Sequence, residues 1–93
     1  MDAYDQKIVK NFMGKDGRFK SLPTQAKKLE AILRYILQEF KPGVRYTEKQ
    51  VNEVIARYSD DVAGLRRDLI EHRMMLRSRD GSEYWLPEEA ASQ

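Results

Sequence analysis

The chain contains no cysteine, one histidine and one tryptophan. Without thiolates, a disulfide framework and cysteine-based zinc sites are excluded, and the lone His72 cannot build a metal centre by itself. No serine or acid is placed to make a triad with it. The paired carboxylates Asp60-Asp61 read as a helix cap and Glu88-Glu89 as tail. Gly14…Gly17 reads as a turn, because it lacks the Gly-Lys-Ser/Thr ending of a phosphate loop. The expectation is therefore a protein that is not an enzyme, with no cofactor and no metal. Apolar runs are equally scarce. None approaches the ~20 residues of a membrane span, and the polar start MDAYDQKIVK is unlike a signal peptide, so the expected location is the cytoplasm, away from membranes.

An excess of either charge is also missing: 17 basic residues stand against 15 acidic ones, for a net charge of +2 and a pI near 8.9. That balance gives nucleic acid only mild encouragement. Distribution says more than the total. Lys15, Arg18, Lys20, Lys27 and Lys28 face only Asp16 in their stretch, whereas the segment from Pro87 to Gln93 carries acids and no base. What remains is a 93-residue chain that is 41% hydrophobic, enough for one domain burying roughly 60–65% of its unfolded surface.

Periodicity orders the chain. Tyr4, Ile8 and Phe12, four apart, predict a first helix over about Ala3–Met13, ended by Gly14. Asp16-Gly17 predicts a tight turn, and Phe19–Leu22 a brief strand before Pro23. Leu29, Ile32, Leu33, Ile36, Leu37 and Phe40 form the broadest apolar stripe and predict a helix running until Pro42-Gly43 stops it near Phe40 or Lys41. Val44–Tyr46 is long enough for a minimal strand. Two short helical patterns follow, Val51/Val54/Ile55/Tyr58 and Val62/Leu65/Leu69, broken at Tyr58–Asp61. Thr47 with Gln50 has capping-box spacing, and Asp60 or Asp61 can cap the second helix. Leu76–Arg79 and Glu83–Leu86 predict a hairpin with Asp80-Gly81 at its tip.

Helix, short strand, helix, helix and hairpin make winged-helix order within an α+β class. The domain reads as an N-terminal helix and turn over residues 1–23, a winged-helix core over 24–86 and a disordered tail over 87–93. Asp61–Arg73 takes the place of the recognition helix, and Leu76–Leu86 that of the wing.

Gly17-Arg18-Phe19-Lys20…Pro23, the Leu29–Leu33 helix, Tyr46-Thr47-Glu48-Lys49-Gln50-Val51-Asn52, Leu65-Arg66-Arg67-Asp68-Leu69 and Gly81…Tyr84-Trp85 together resemble a bacterial family of small domains of unknown function. Its members occur alone or fused behind ArsR-like winged-helix regulators. The resemblance covers about residues 8–86. It implies a winged-helix-like fold and an association with transcription regulation, and it assigns no catalytic residues. Metal sensing by the fused regulators does not carry over to a chain with no cysteine.

The function read from the sequence is a DNA-binding transcriptional regulator. Arg66, Arg67 and Arg73 would contact duplex DNA from the recognition helix, Arg77 and Arg79 would grip phosphates from the wing, and Lys20, Lys27 and Lys28 would add outlying positive charge. On a helical wheel Arg67 points most directly outward. Arg66 is as well explained by a structural ion pair, and Arg77 with Arg79 by a charged hairpin edge that resists aggregation. One of Tyr84 and Trp85 is expected in the core and the other on the outer face of the wing. The alternative is a winged-helix protein-interaction module without direct DNA contact. The balance of Arg66, Arg67 and Arg73 against Asp60, Asp61, Asp68 and Glu71 favours it. Two-fold DNA recognition would need a homodimer or a partner regulator, with Tyr4, Ile8 and Phe12 the best apolar surface available.

Overall fold

Short polar side chains decide where three helices begin. In the computed structural model, which describes residues 1–88, the Asp2 carboxylate accepts the Asp5 backbone N–H at 2.8 Å and starts α1 (Ala3–Phe12). At α3 (Glu48–Ala56) the capping box is complete: Thr47 Oγ1 accepts the Gln50 N–H at 3.1 Å, and Gln50 Oε1 accepts the Thr47 N–H at 2.8 Å. Asp61, not Asp60, caps α4 (Val62–Glu71) through the Gly64 N–H at 3.2 Å. Gly64 leaves room for that cap, since a Cβ at this position would push the Asp61 carboxylate aside. The remaining helix, α2 (Ala26–Leu37), has no side-chain cap.

α2 carries the broad stripe. Its Ile32, Leu33 and Ile36 are fully buried against Val51 and Ile55 of α3, Leu65 and Leu69 of α4, and Met75, in one core. Leu29 and Leu37 flank that core, half-buried. The α-helix ends at Leu37, before the predicted stop. Backbone bonds from Glu39 to Ile36 and from Phe40 to Leu37 tighten the chain into a three-residue turn that still buries Phe40, edge-on to Tyr46 at 5.0 Å.

α4 ends in a Schellman arrangement, with the Met74 N–H on the Leu69 carbonyl at 2.9 Å and the Arg73 N–H on the Ile70 carbonyl at 3.0 Å. The residue in the left-handed position is Arg73, at φ 59°, where glycine is the usual occupant. Arg73→Gly should therefore raise stability by about 1 kcal/mol, the left-handed cost of a side chain less glycine's extra entropy loss. Urea melts of the two proteins check this, and an unchanged or lower midpoint would contradict it.

β1 (Leu76–Arg77) and β2 (Tyr84–Trp85) pair antiparallel, Leu76 opposite Trp85 and Arg77 opposite Tyr84. These strands are shorter than predicted because side chains capture the tip. The Glu83 N–H donates to Ser78 Oγ at 3.0 Å, and Asp80 accepts from the Ser82 N–H and from the Ser78 and Ser82 hydroxyls. Those bonds, led by the Ser82 backbone, hold the exposed Asp80 carboxyl down at about 2. The predicted strands at Val44–Tyr46 and Phe19–Leu22 reduce to single bridges, Tyr46 with Tyr84 and Met13 with Phe19. Tyr84 fills the core. Trp85 lies half-exposed with the Arg45 guanidinium 3.8 Å above its ring.

Among the described residues the architecture is thus a small α+β domain whose named elements are four helices and a two-stranded hairpin. No helix among the described residues is long and apolar enough to cross a membrane. The N-terminal segment is built into it. Phe19 donates its N–H to the Tyr58 carbonyl at 2.7 Å and stacks edge-on with Tyr35, which does the same with Tyr58. Arg18 donates to the Ala56 carbonyl and pairs with Asp60, clasping the α3–α4 turn. In the same region Tyr58 donates to Glu39, which pushes the phenol up to about 12.

One expectation is corrected by α1. Ile8 and Val9 are buried in the core, with Tyr4 and Phe12 packed half-buried against it, so the stripe offered as a dimer surface is consumed inside the domain. The tail assigned to residues 87–93 lies outside the described residues from Glu89 onward.

Candidate functional site

Burying Leu65 and Leu69 turns the opposite side of α4 to solvent, and Ala63, Arg67 and Glu71, four residues apart, run exposed along it. Beside this stripe the hairpin and the first residue of α3 close a cleft of about 370 Å³. Its lining comprises Ala63, Arg66, Arg67, Ile70 and Glu71 from α4, Arg77 and Tyr84 from the hairpin, and Glu48 from α3.

The back wall is a hydrogen-bonded network spanning three elements. Glu48 Oε1 accepts the Tyr84 hydroxyl at 3.0 Å and lies 3.6 Å from Arg66 Nε, while Arg66 Nη1 donates to Asn52 Oδ1 at 2.5 Å. Arg66 is only 23% exposed. It therefore acts as a strut between α3 and α4, the structural role that competed with DNA contact in the sequence.

The other arginines differ. Arg67, Arg73, Arg77 and Arg79 make no ion pair among the described residues, and all four are exposed. Arg67 and Arg77 face the same cleft from different elements. Arg79 lies in the hairpin turn beyond the end of β1, not on the strand with Arg77. Arg73 stands at the left-handed residue after α4, outside the cleft lining. Lys20, Lys27 and Lys28 are also outside it. The Lys27 ammonium sits 4.8 Å from the Tyr4 ring on α1, Lys20 is exposed, and Lys28 is half-buried on α2.

His72 ends α4 with Nδ1 2.9 Å from Glu30 Oε2, tying α4 to α2. One turn back, burial pushes the Asp68 carboxyl up. No group of three or more metal-binding side chains gathers among the described residues.

Sequence reasoning missed Glu48 and Asn52 as partners of Arg66, and Tyr84 as the partner of Glu48. The Tyr84–Glu48 bond joins residues 36 apart, and no local pattern encodes it. The only available signal was the paired arginines Arg66-Arg67 beside a buried Leu65, which places one at the edge of the apolar stripe and one outward.

A bacterial family described as an uncharacterized protein conserved in bacteria (DUF2087) matches residues 18–86. No curated protein and no solved structure matches the chain.

Proposed function

For a chain that belongs to the DUF2087 family of bacterial proteins, we propose a winged-helix module that binds double-stranded DNA and serves transcription regulation. In this reading α4 enters the major groove and the β1–β2 hairpin is the wing that meets the flanking backbone. The observation that supports it is the convergence of Arg67 and Arg77, from different elements and without ion-pair partners, on one open cleft. An exposed arginine with no partner keeps its five donors for base edges or phosphates. Arg73 and Arg79, exposed and without an ion pair among the described residues, add further positive charge, and Lys20, Lys27 and Lys28 add long-range attraction.

Each role carries a different expected defect. Arg67→Ala should cost about 1–3 kcal/mol at the preferred site alone, whereas Arg77→Ala or Arg79→Ala should weaken all sequences evenly and lower the salt slope by about one counterion. Arg66→Ala should instead lower the urea midpoint, because it removes the strut. Anisotropy titrations of labelled duplex at two salt concentrations separate these outcomes. Binding no tighter than about 0.1 mM at low salt, the weak limit of non-specific contact, would overturn the reading.

One observation favours a second reading. Glu48 and Glu71 line the same cleft as the arginines, and this mixed charge suits a protein segment bearing both signs. On that account the module binds a regulator, and duplex titrations would stay flat for every arginine variant.

A further inference from the structure

Glu71 is the feature of the cleft that phosphate binding does not explain. It is exposed on the outward stripe of α4, one turn beyond Arg67, and it makes no ion pair or side-chain hydrogen bond among the described residues. Its spacing from Arg67 is the one at which opposite charges on a helix ordinarily meet, yet the two stay apart. A carboxylate in that place repels a DNA backbone and needs a donor.

Building on the DNA reading above, we propose that Arg67 and Glu71 select two bases about two steps apart, Arg67 a guanine and Glu71 a cytosine on the major-groove edge. At 1.5 Å of rise per residue the two side chains leave the helix about 6 Å apart, close to the span of two base-pair steps of about 3.4 Å each. Arginine matches the paired acceptors O6 and N7 of guanine. A carboxylate only accepts, and in the major groove only the cytosine and adenine amino groups donate. Adenine sets its N7 acceptor beside that amino group, facing the carboxylate with a second lone pair. Cytosine sets a C–H there, so it is the better partner for Glu71. Ala63, one turn before Arg67 on the same stripe, leaves room for the helix to approach base edges.

The test is selection from a randomised duplex pool with wild type, Arg67→Ala and Glu71→Gln, followed by titration of duplexes that differ only at the enriched positions. Wild type should enrich cytosine within about two base pairs of a guanine that Arg67→Ala no longer enriches. Glu71→Gln should cut the cytosine preference about fivefold or more and shift it toward adenine, whose N6 and N7 fit the glutamine amide. Affinity for the unselected pool should hold or rise, since a negative charge is gone. Glu71 is exposed, and an unchanged urea midpoint for Glu71→Gln verifies that the fold is intact. Arg67-dependent binding with an unaltered cytosine preference in Glu71→Gln would overturn this inference alone. Absence of binding to any duplex would overturn it together with the DNA reading.

Discussion

Leu33→Ala should destabilise the domain by about 2–5 kcal/mol, the range for truncating a fully buried leucine into a cavity. Leu33 has no exposed surface and belongs to the one core that α2 shares with α3 and α4. The wall opposite it is built from helices held by caps and ion pairs, which limits how far the site can collapse. Leu29→Ala, on the same helix and stripe but half-buried, is the comparison, because it has the same change in helix propensity and leaves a smaller void. Urea denaturation should place Leu33→Ala well below Leu29→Ala. Equal midpoints would mean that α2 does not present Leu33 to the core.

Arg34→Leu should produce the second large effect, with a dependence on pH that identifies its cause. Asp5 on α1 is 3% exposed, and Arg34 on α2 grips it at both oxygens, Nε to Oδ2 at 2.6 Å and Nη2 to Oδ1 at 2.9 Å. Removing the guanidinium leaves a buried carboxylate without its partner. Loss of a partner from a fully buried pair costs about 3–5 kcal/mol, but the Arg34 side chain is 43% exposed, and screening reduces the expectation to about 1–3 kcal/mol near neutral pH. The hydrogen bonds from Arg34 hold the Asp5 carboxyl below its ordinary 3.8, against the opposing effect of burial. A depressed folded-state value means that this stabilisation is complete above pH 3.8 and is lost as pH falls through the lower folded value. In Arg34→Leu only the charge of the amino terminus still opposes the burial effect, the carboxyl moves upward, and protonation relieves the variant. The stability gap between the two proteins should therefore shrink from pH 7 to pH 3. A gap that stays constant would assign the loss to packing of the arginine stem and not to the ion pair.

Helix identity was legible because its determinants are local. The Leu29–Leu37 stripe, the Thr47–Gln50 box and the Asp61 cap each act within about one or two turns of chain, and each is present in the structure. The Asp80-Gly81 hairpin was readable for the same reason, with Gly81 at φ 76° in its turn. The strand lengths were not. Ser78, Asp80 and Ser82 have side-chain acceptors and donors that compete with the ladder, and propensity reasoning treats such residues as passive.

By itself, the sequence determined four amphipathic segments, the Thr47–Gln50 box, an aspartate cap before α4, one hairpin and the outward direction of Arg67, since periods of 3.6 and 2 and capping bonds need no distant partner. Tertiary structure decided which charges stay free. Arg66 and Arg67 are neighbours of the same type, yet Asn52, 14 residues away, and Glu48 hold the first while the second faces solvent. It likewise decided that the α1 stripe is spent on the core, because α1 lies across α2 with Asp5 locked to Arg34. An ion pair depends on two elements crossing within a few ångströms, and that distance is set by the packing of the whole core.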